Sequence, residues 1–144
     1  MCRSLSDLIS CHQCVSSKKS TVRYFFPSKF RIRKRAEFVQ IQRDGAKIYC
    51  KHFLIIVRPS KSGDSRLGVV VTRKLDKRAV RRNRLKRQLR EIFRLNRSNL
   101  RSPLDIVIIA RRGSLALKYW EIENEILGQL ARKGYLKSDS EKDA

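Results

Sequence analysis

The chain has 144 residues, a length that argues for one domain, and 41% of them are apolar, enough for a modest core. Lysine and arginine number 35 against 13 acidic residues, a formal charge of +22 at neutral pH, and self-repulsion at that charge opposes compaction unless a partner neutralises it. Nucleic acid is the first candidate and an anionic membrane surface the second, while the absence of any apolar run of about eighteen residues excludes a spanning helix from this sequence.

Residues 1–27 read as a disordered tail, rich in Ser, Cys and Lys and without sustained periodicity. Met1 is the only methionine, which raises the expectation that translation begins later, for example at Val22. No long apolar region precedes Ser16, so no export signal is read and the expected compartment is the cytoplasm. Cys11-His12-Gln13-Cys14 is a CxxC without a second ligand pair, so Cys2, Cys11, Cys14 and Cys50 are expected to be reduced thiols with no metal site, the alternative being an adventitious or redox-active CxxC at Cys11 and Cys14.

From residue 28 to about 136 the pattern is that of a folded domain. Arg35 to Asp44 predicts a short helix through Ala36, Phe38, Val39 and Ile41, with Gly45 at the helix C-terminus. Phe53 to Val57 is a buried strand ended by Pro59. Ser60 to Ser65 reads as a hairpin loop, and Leu67 to Thr72 as the strand returning from it. A loop over Arg73–Arg78 leads into a helix that reaches about Asn96. Asp105 to Ala110 is a third strand. Tyr119, Ile122, Ile126 and Leu130 mark a last helix, whose exposed side is expected to hold Glu121, Glu123 and Glu125. Residues 137–144 read as a flexible C-terminal tail. The order predicts an α+β fold, a small sheet packed with helices.

The middle helix carries the strongest signal. Leu85, Leu89, Ile92 and Phe93 recur at the spacing of one helix face. Asn83, Arg87, Arg90 and Arg94 recur almost opposite it, among Arg78, Arg81, Arg82, Arg84 and Lys86. One face suits a protein core and the other a polyanion in fixed register. Asn83 adds a neutral donor and acceptor within the cationic face. The residues alone do not separate RNA from DNA.

Catalytic constellations are not legible. The two histidines, His12 and His52, lie in the tail and beside a strand, and Asp64, Asp76 and Asp105 lie in or beside predicted turns. There is no phosphate-cradling glycine loop and no carboxylate cluster for two metal ions. The chain reads as a binder, with no catalytic residue of its own. A structural RNA-binding protein of the ribosome and a basic membrane-surface protein are competing readings. The narrow apolar stripe speaks against the latter, because a lipid-bound helix presents a broad apolar face.

Arg66 to Lys74, then Ala79 to Arg87 with Arg82-Asn83-Arg84 and Lys86-Arg87, then Leu89 to Arg94, closely resemble the protein subunit of bacterial ribonuclease P. The resemblance runs from about Phe30 to Leu136, and is most specific at the basic helix. It implies a ribosomal-protein-like α+β fold with a small mixed sheet and a left-handed β-α-β crossover. It implies a ribonucleoprotein with a large catalytic RNA that cleaves the 5′ leader from precursor tRNA, with magnesium ions held mainly by that RNA. It places Arg82, Asn83, Arg84 and Arg87 against the RNA subunit, and Lys86 and Arg90 towards the leader junction. Arg73, Lys74 and Arg94 complete the expected RNA-binding set. Phe38, Phe53 and Arg31 are expected at the leader cleft, where an aromatic ring can stack on an unpaired base. Gln42 and Ile56 stand where some members carry further aromatics, which implies weaker or less selective stacking.

Overall fold

The computed structural model describes residues 27–137. The tail with Cys2, Cys11 and Cys14, the alternative start at Val22 and the last residues of the C-terminal tail lie outside the described residues. Three α-helices, α1 (Arg35–Asp44), α2 (Ala79–Asn96) and α3 (Tyr119–Arg132), pack on four strands, β1 (Ala46–Tyr49), β2 (Phe53–Pro59), β3 (Arg66–Val70) and β4 (Leu104–Ala110). The strand order is β1-β2-β4-β3, with β1–β2 and β2–β4 antiparallel and β3–β4 parallel. The fold is therefore α+β with a mixed sheet, and α2 is the crossover between two neighbouring parallel strands.

The expected hairpin between the second and third strands is corrected by this order. Ser60–Ser65 does turn, with Gly63 at φ 77°, but the strand that follows does not return to β2. Leu67 pairs with Ile106 and Gly68 with Val107, so β4 lies between the two. The physical reason is in β4 itself. Ile106 to Ile108 are buried on both faces of the strand, which only an inner position provides. Strand β1 was not predicted, because Ile48 is its only buried residue and four residues carry little alternation.

Alternation along the strands sorts the core into two layers. Phe53, Ile55 and Val57 with Ile106 and Ile108 face the side covered by Leu85, Leu89, Ile92 and Phe93 of α2 and Ile122, Ile126 and Leu130 of α3. Ile56 and Val107 face α1, where Ile32 and Ile41 complete a smaller cluster.

Gly45 is needed for a reason other than the one expected. Its φ of −80° is open to any residue, but a Cβ there would stand 2.5 Å from the Ile41 carbonyl oxygen and 2.5 Å from Ile56 Cγ2. The glycine lets α1 end directly against β2.

Helix α3 uses its acids structurally. Glu121 accepts from the Lys118 backbone N–H at 2.7 Å, closing the first turn. Glu125 accepts from the His52 backbone N–H at 2.7 Å and meets His52 Nδ1 at 2.9 Å, so it faces the β1–β2 turn instead of open solvent. At the other end, Lys137 N–H donates to the Asn99 carbonyl at 2.8 Å.

Candidate nucleic-acid interface

Helix α2 buries one face and leaves its cations on the others. Arg81, Asn83, Arg84 and Arg87 are exposed, while Arg82, Lys86, Arg90 and Arg94 are half-buried. Its first turn contains no acidic residue, although a helix N-terminus carries positive partial charge and favours anions. Arg81 is compensated only from outside the helix, by Asp76 at 3.6 Å. Such a start is stabilised by bound phosphate.

The half-buried cations are crowded. Burial first, and then the neighbouring Arg31 and Arg87, push the Arg90 guanidinium below its ordinary pKa. These like charges are held together by the fold and not by attraction. Arg31 reaches α2 because its segment adds to the outer edge of β3. It forms a parallel bridge with Leu67, and the Ile32 N–H donates to the Leu67 carbonyl at 3.0 Å. The cationic face of α2 thus continues into the chain that enters α1. Arg94 is different, since its guanidinium donates to Glu91 on the same helix. Arg73 and Lys74 are exposed in the turn that precedes α2.

A groove of about 550 Å³ runs along the first turns of α2, with Arg81, Arg84 and Gln88 on one side and Lys118 and Tyr119 on the other. Leu85, Leu115 and Leu117 form its apolar part. The sequence gives no sign that Lys118 and Tyr119 border the basic helix, because only the packing of the start of α3 against α2 brings them there.

On the opposite face of the sheet, α1 covers Ile56 and Val107 and leaves Leu54, Val70 and Ile109 partly open beside Phe38. A Cβ at Gly68 would lie 2.6 Å from Phe38 Cε1 and 2.8 Å from Cζ. The missing side chain on β3 is therefore the seat of the Phe38 ring. Phe38 stays half-buried, so part of it borders the open sheet face.

Phe53 does not belong to this cleft. It is fully buried in the layer under α2 and α3, because as the first residue of β2 it points to the face opposite Leu54. The expectation that it lines a leader cleft is corrected on that ground. Ile56 is 2% exposed beneath α1, so no side chain at that position would reach a ligand without displacing the helix.

Asp105, read from the sequence as the start of the third strand, lies in β4 beside the turn that precedes it, is fully buried, and accepts from Arg66 Nε and Nη2 at 2.9 Å each. This bidentate pair raises the Arg66 pKa further. Arg66 also reaches Glu37 at 3.4 Å, and Arg58 lies 3.9 Å from Asp105 and 3.8 Å from Asp44. Glu37 and Asp44 sit at the two ends of α1, so the chain of charges closes a circuit from helix to β3, β4, β2 and back. The only sequence sign of it is one acid inside an otherwise apolar run.

Among the described residues, no group of three or more His, Cys, Asp or Glu side chains could hold a metal ion, and no helix is long and apolar enough to cross a membrane.

Residues 26–134 match the family model for Ribonuclease P. The chain is 44% identical over 103 residues to the ribonuclease P protein component of Syntrophus aciditrophicus, covering 72% of this chain and 85% of that protein. It is 36% identical over 111 residues to the ribonuclease P protein component of Thermotoga maritima, covering 74% and 94%. Among solved structures, the RNase P protein of Staphylococcus aureus superposes with a TM-score of 0.68 at 31% identity, covering 75% of this chain and 98% of that one. The RNase P protein of Thermotoga maritima superposes with a TM-score of 0.64 at 36% identity, covering 71% and 96%.

Proposed function

The chain belongs to the ribonuclease P protein family, and on that premise we propose how its surfaces divide the work of removing the 5′ leader from precursor tRNA. It is the protein component of a ribonucleoprotein endonuclease, with catalysis by the RNA subunit. Arg82, Asn83, Arg84 and Arg87 bind that RNA, and Lys86 and Arg90 lie towards the junction with the leader. Arg73 and Lys74 extend the contact ahead of α2, and Arg94, already paired with Glu91, adds less. The leader of the precursor tRNA occupies the open sheet face beside α1, between Phe38 and Arg31.

The observation that carries this reading is the continuity of two surfaces. Arg90 of α2 is half-buried with Arg31 and Arg87 as its charged neighbours, and burial first and these two second lower its pKa, while Arg31 is bridged to the same strand whose Gly68 seats Phe38. A phosphate chain lying on α2 passes directly to an apolar cleft suited to a single-stranded base.

Magnesium is assigned to the RNA in this reading. The acids nearest the cleft, Glu37, Asp44 and Asp105, are engaged by Arg58 and Arg66, so the protein's donor set there does not fit a divalent ion. The protein orients RNA and leader and neutralises phosphate charge, which eases metal binding by the RNA. The cytoplasm, where precursor tRNA is made, is the compartment proposed.

The test is leader cleavage at low magnesium, with a bacterial ribonuclease P RNA alone, this protein alone, and both together. Cleavage only in the mixture is the expected result. Cleavage by the protein alone would overturn the division of labour. No stimulation of a cognate RNA would favour a general RNA-binding role.

A further inference from the structure

We infer that a second groove, at the end of the sheet, is an additional binding site for an RNA phosphodiester backbone. It is lined by Lys51, Lys74, Leu75, Arg111 and Arg112 and encloses about 500 Å³. Four of these five residues are cationic and none is acidic. They come from three separate connections: the β1–β2 turn, the β3–α2 turn and the β4–α3 turn. Only Lys74 belongs to the RNA-binding set considered above. The inference rests on the ribonuclease P reading for the identity of the polyanion.

Each connection is fixed in place. Cys50 N–H donates to the Phe53 carbonyl at 2.9 Å, which closes the turn presenting Lys51. Leu75 N–H donates to the Thr72 carbonyl at 3.1 Å, which closes the turn presenting Lys74. Arg111 N–H donates to the His52 carbonyl at 2.9 Å, tying the first turn to the third. The fully buried Ser114 hydroxyl donates to the Arg111 carbonyl at 2.7 Å. Gly113 holds a φ of 87° there, and a Cβ would sit 3.0 Å from the His52 ring. The Arg111 guanidinium lies 5.4 Å from the centre of the Tyr49 ring, which orients it without neutralising it.

Four cations on anchored turns repel one another in the free protein, and the lining supplies no counter-charge. An open groove of this kind suits successive phosphates of a folded nucleic acid, with Leu75 against a ribose. The phosphates can come from the catalytic RNA or from the precursor tRNA. The groove has no local signature in the sequence, because its residues are scattered over 62 positions in ones and twos, between Lys51 and Arg112.

The double variant Lys51→Ala/Arg112→Ala tests it, with Arg87→Ala on α2 and the charge-conserving Lys51→Arg/Arg112→Lys as references. Binding is measured against catalytic RNA alone and, for the assembled holoenzyme, against precursor tRNA, each over a salt series. The alanine pair should weaken binding and reduce the salt slope by roughly two units, with an unchanged melting temperature and full retention in the charge-conserving pair. A loss confined to the first arm identifies the catalytic RNA as the source of the phosphates, and a loss confined to the second identifies the substrate. Unchanged binding in both arms, with Arg87→Ala still impaired, overturns the groove and leaves the ribonuclease P reading intact. Failure of the unaltered protein to bind either RNA would overturn both.

Discussion

The two faces of the sheet are built on different principles. One is sealed by α2 and α3 over a continuous apolar layer. The other is half covered by α1, with a small apolar cluster and a circuit of charges at its margin. The sealed face derives its stability from burial, which is indifferent to direction. The open face is held by directional pairs that fix where α1 sits, and that position sets the width of the cleft beside Phe38. The sealed face carries most of the core, and the open face leaves Leu54, Val70 and Ile109 partly exposed beside Phe38.

Substitutions on the two faces should therefore fail differently. Leu89→Ala, on the fully buried stripe of α2, should cost about 2–5 kcal/mol of stability, as buried leucine truncations do. Chemical denaturation reads this, and the folded fraction should still bind RNA. Asp105→Ala opens the circuit and leaves Arg66 without its bidentate partner. It should cost about 3 kcal/mol, the low end for a broken buried pair, since Arg66 keeps some contact with water. Leader affinity should fall more than the stability loss accounts for, and an affinity that merely tracks the folded fraction would separate α1 placement from the cleft. Gly68→Ala should cost about 1–3 kcal/mol by overpacking against the Phe38 ring. Crosslinking of a photoreactive leader base to Phe38 would show whether the ring leaves its seat. Arg87→Ala should leave the melting temperature unchanged and lower the salt slope for catalytic RNA by roughly one unit. An unaltered slope would remove this exposed residue from the interface.

Legibility in the sequence followed the same division. Helix α2 was bounded correctly because its apolar spacing and basic density are local signals, and β2, β4 and α3 were found by runs or periodicity of their own. The crossover through α2 was expected, but the neighbour of β2 was not legible. A turn at Ser60–Ser65 implied a hairpin, while the true pairing of β3 depends on β4, nearly forty residues further on. The same limit misplaced Phe53, whose aromatic character says nothing about which face of β2 it occupies. It also hid the role of Asp105, whose partner lies 39 residues away. Arg31 and Arg90 were both singled out, yet their proximity arises only from the bridge to Leu67.

The position of β4 bears on how the molecule forms. This strand lies between β2 and β3 and is specified at Leu104–Ala110. A nascent chain that has emerged as far as α2 has its first hairpin, but the third strand has only the short Arg31–Ile32 segment beside it and lacks its inner neighbour. Closure waits until most of the domain is made, and the pairing then required is long-range and slow. During that interval α2 exposes both its apolar stripe and its dense positive charge. An RNA that engages the charge early would shield the helix while its final strand arrives.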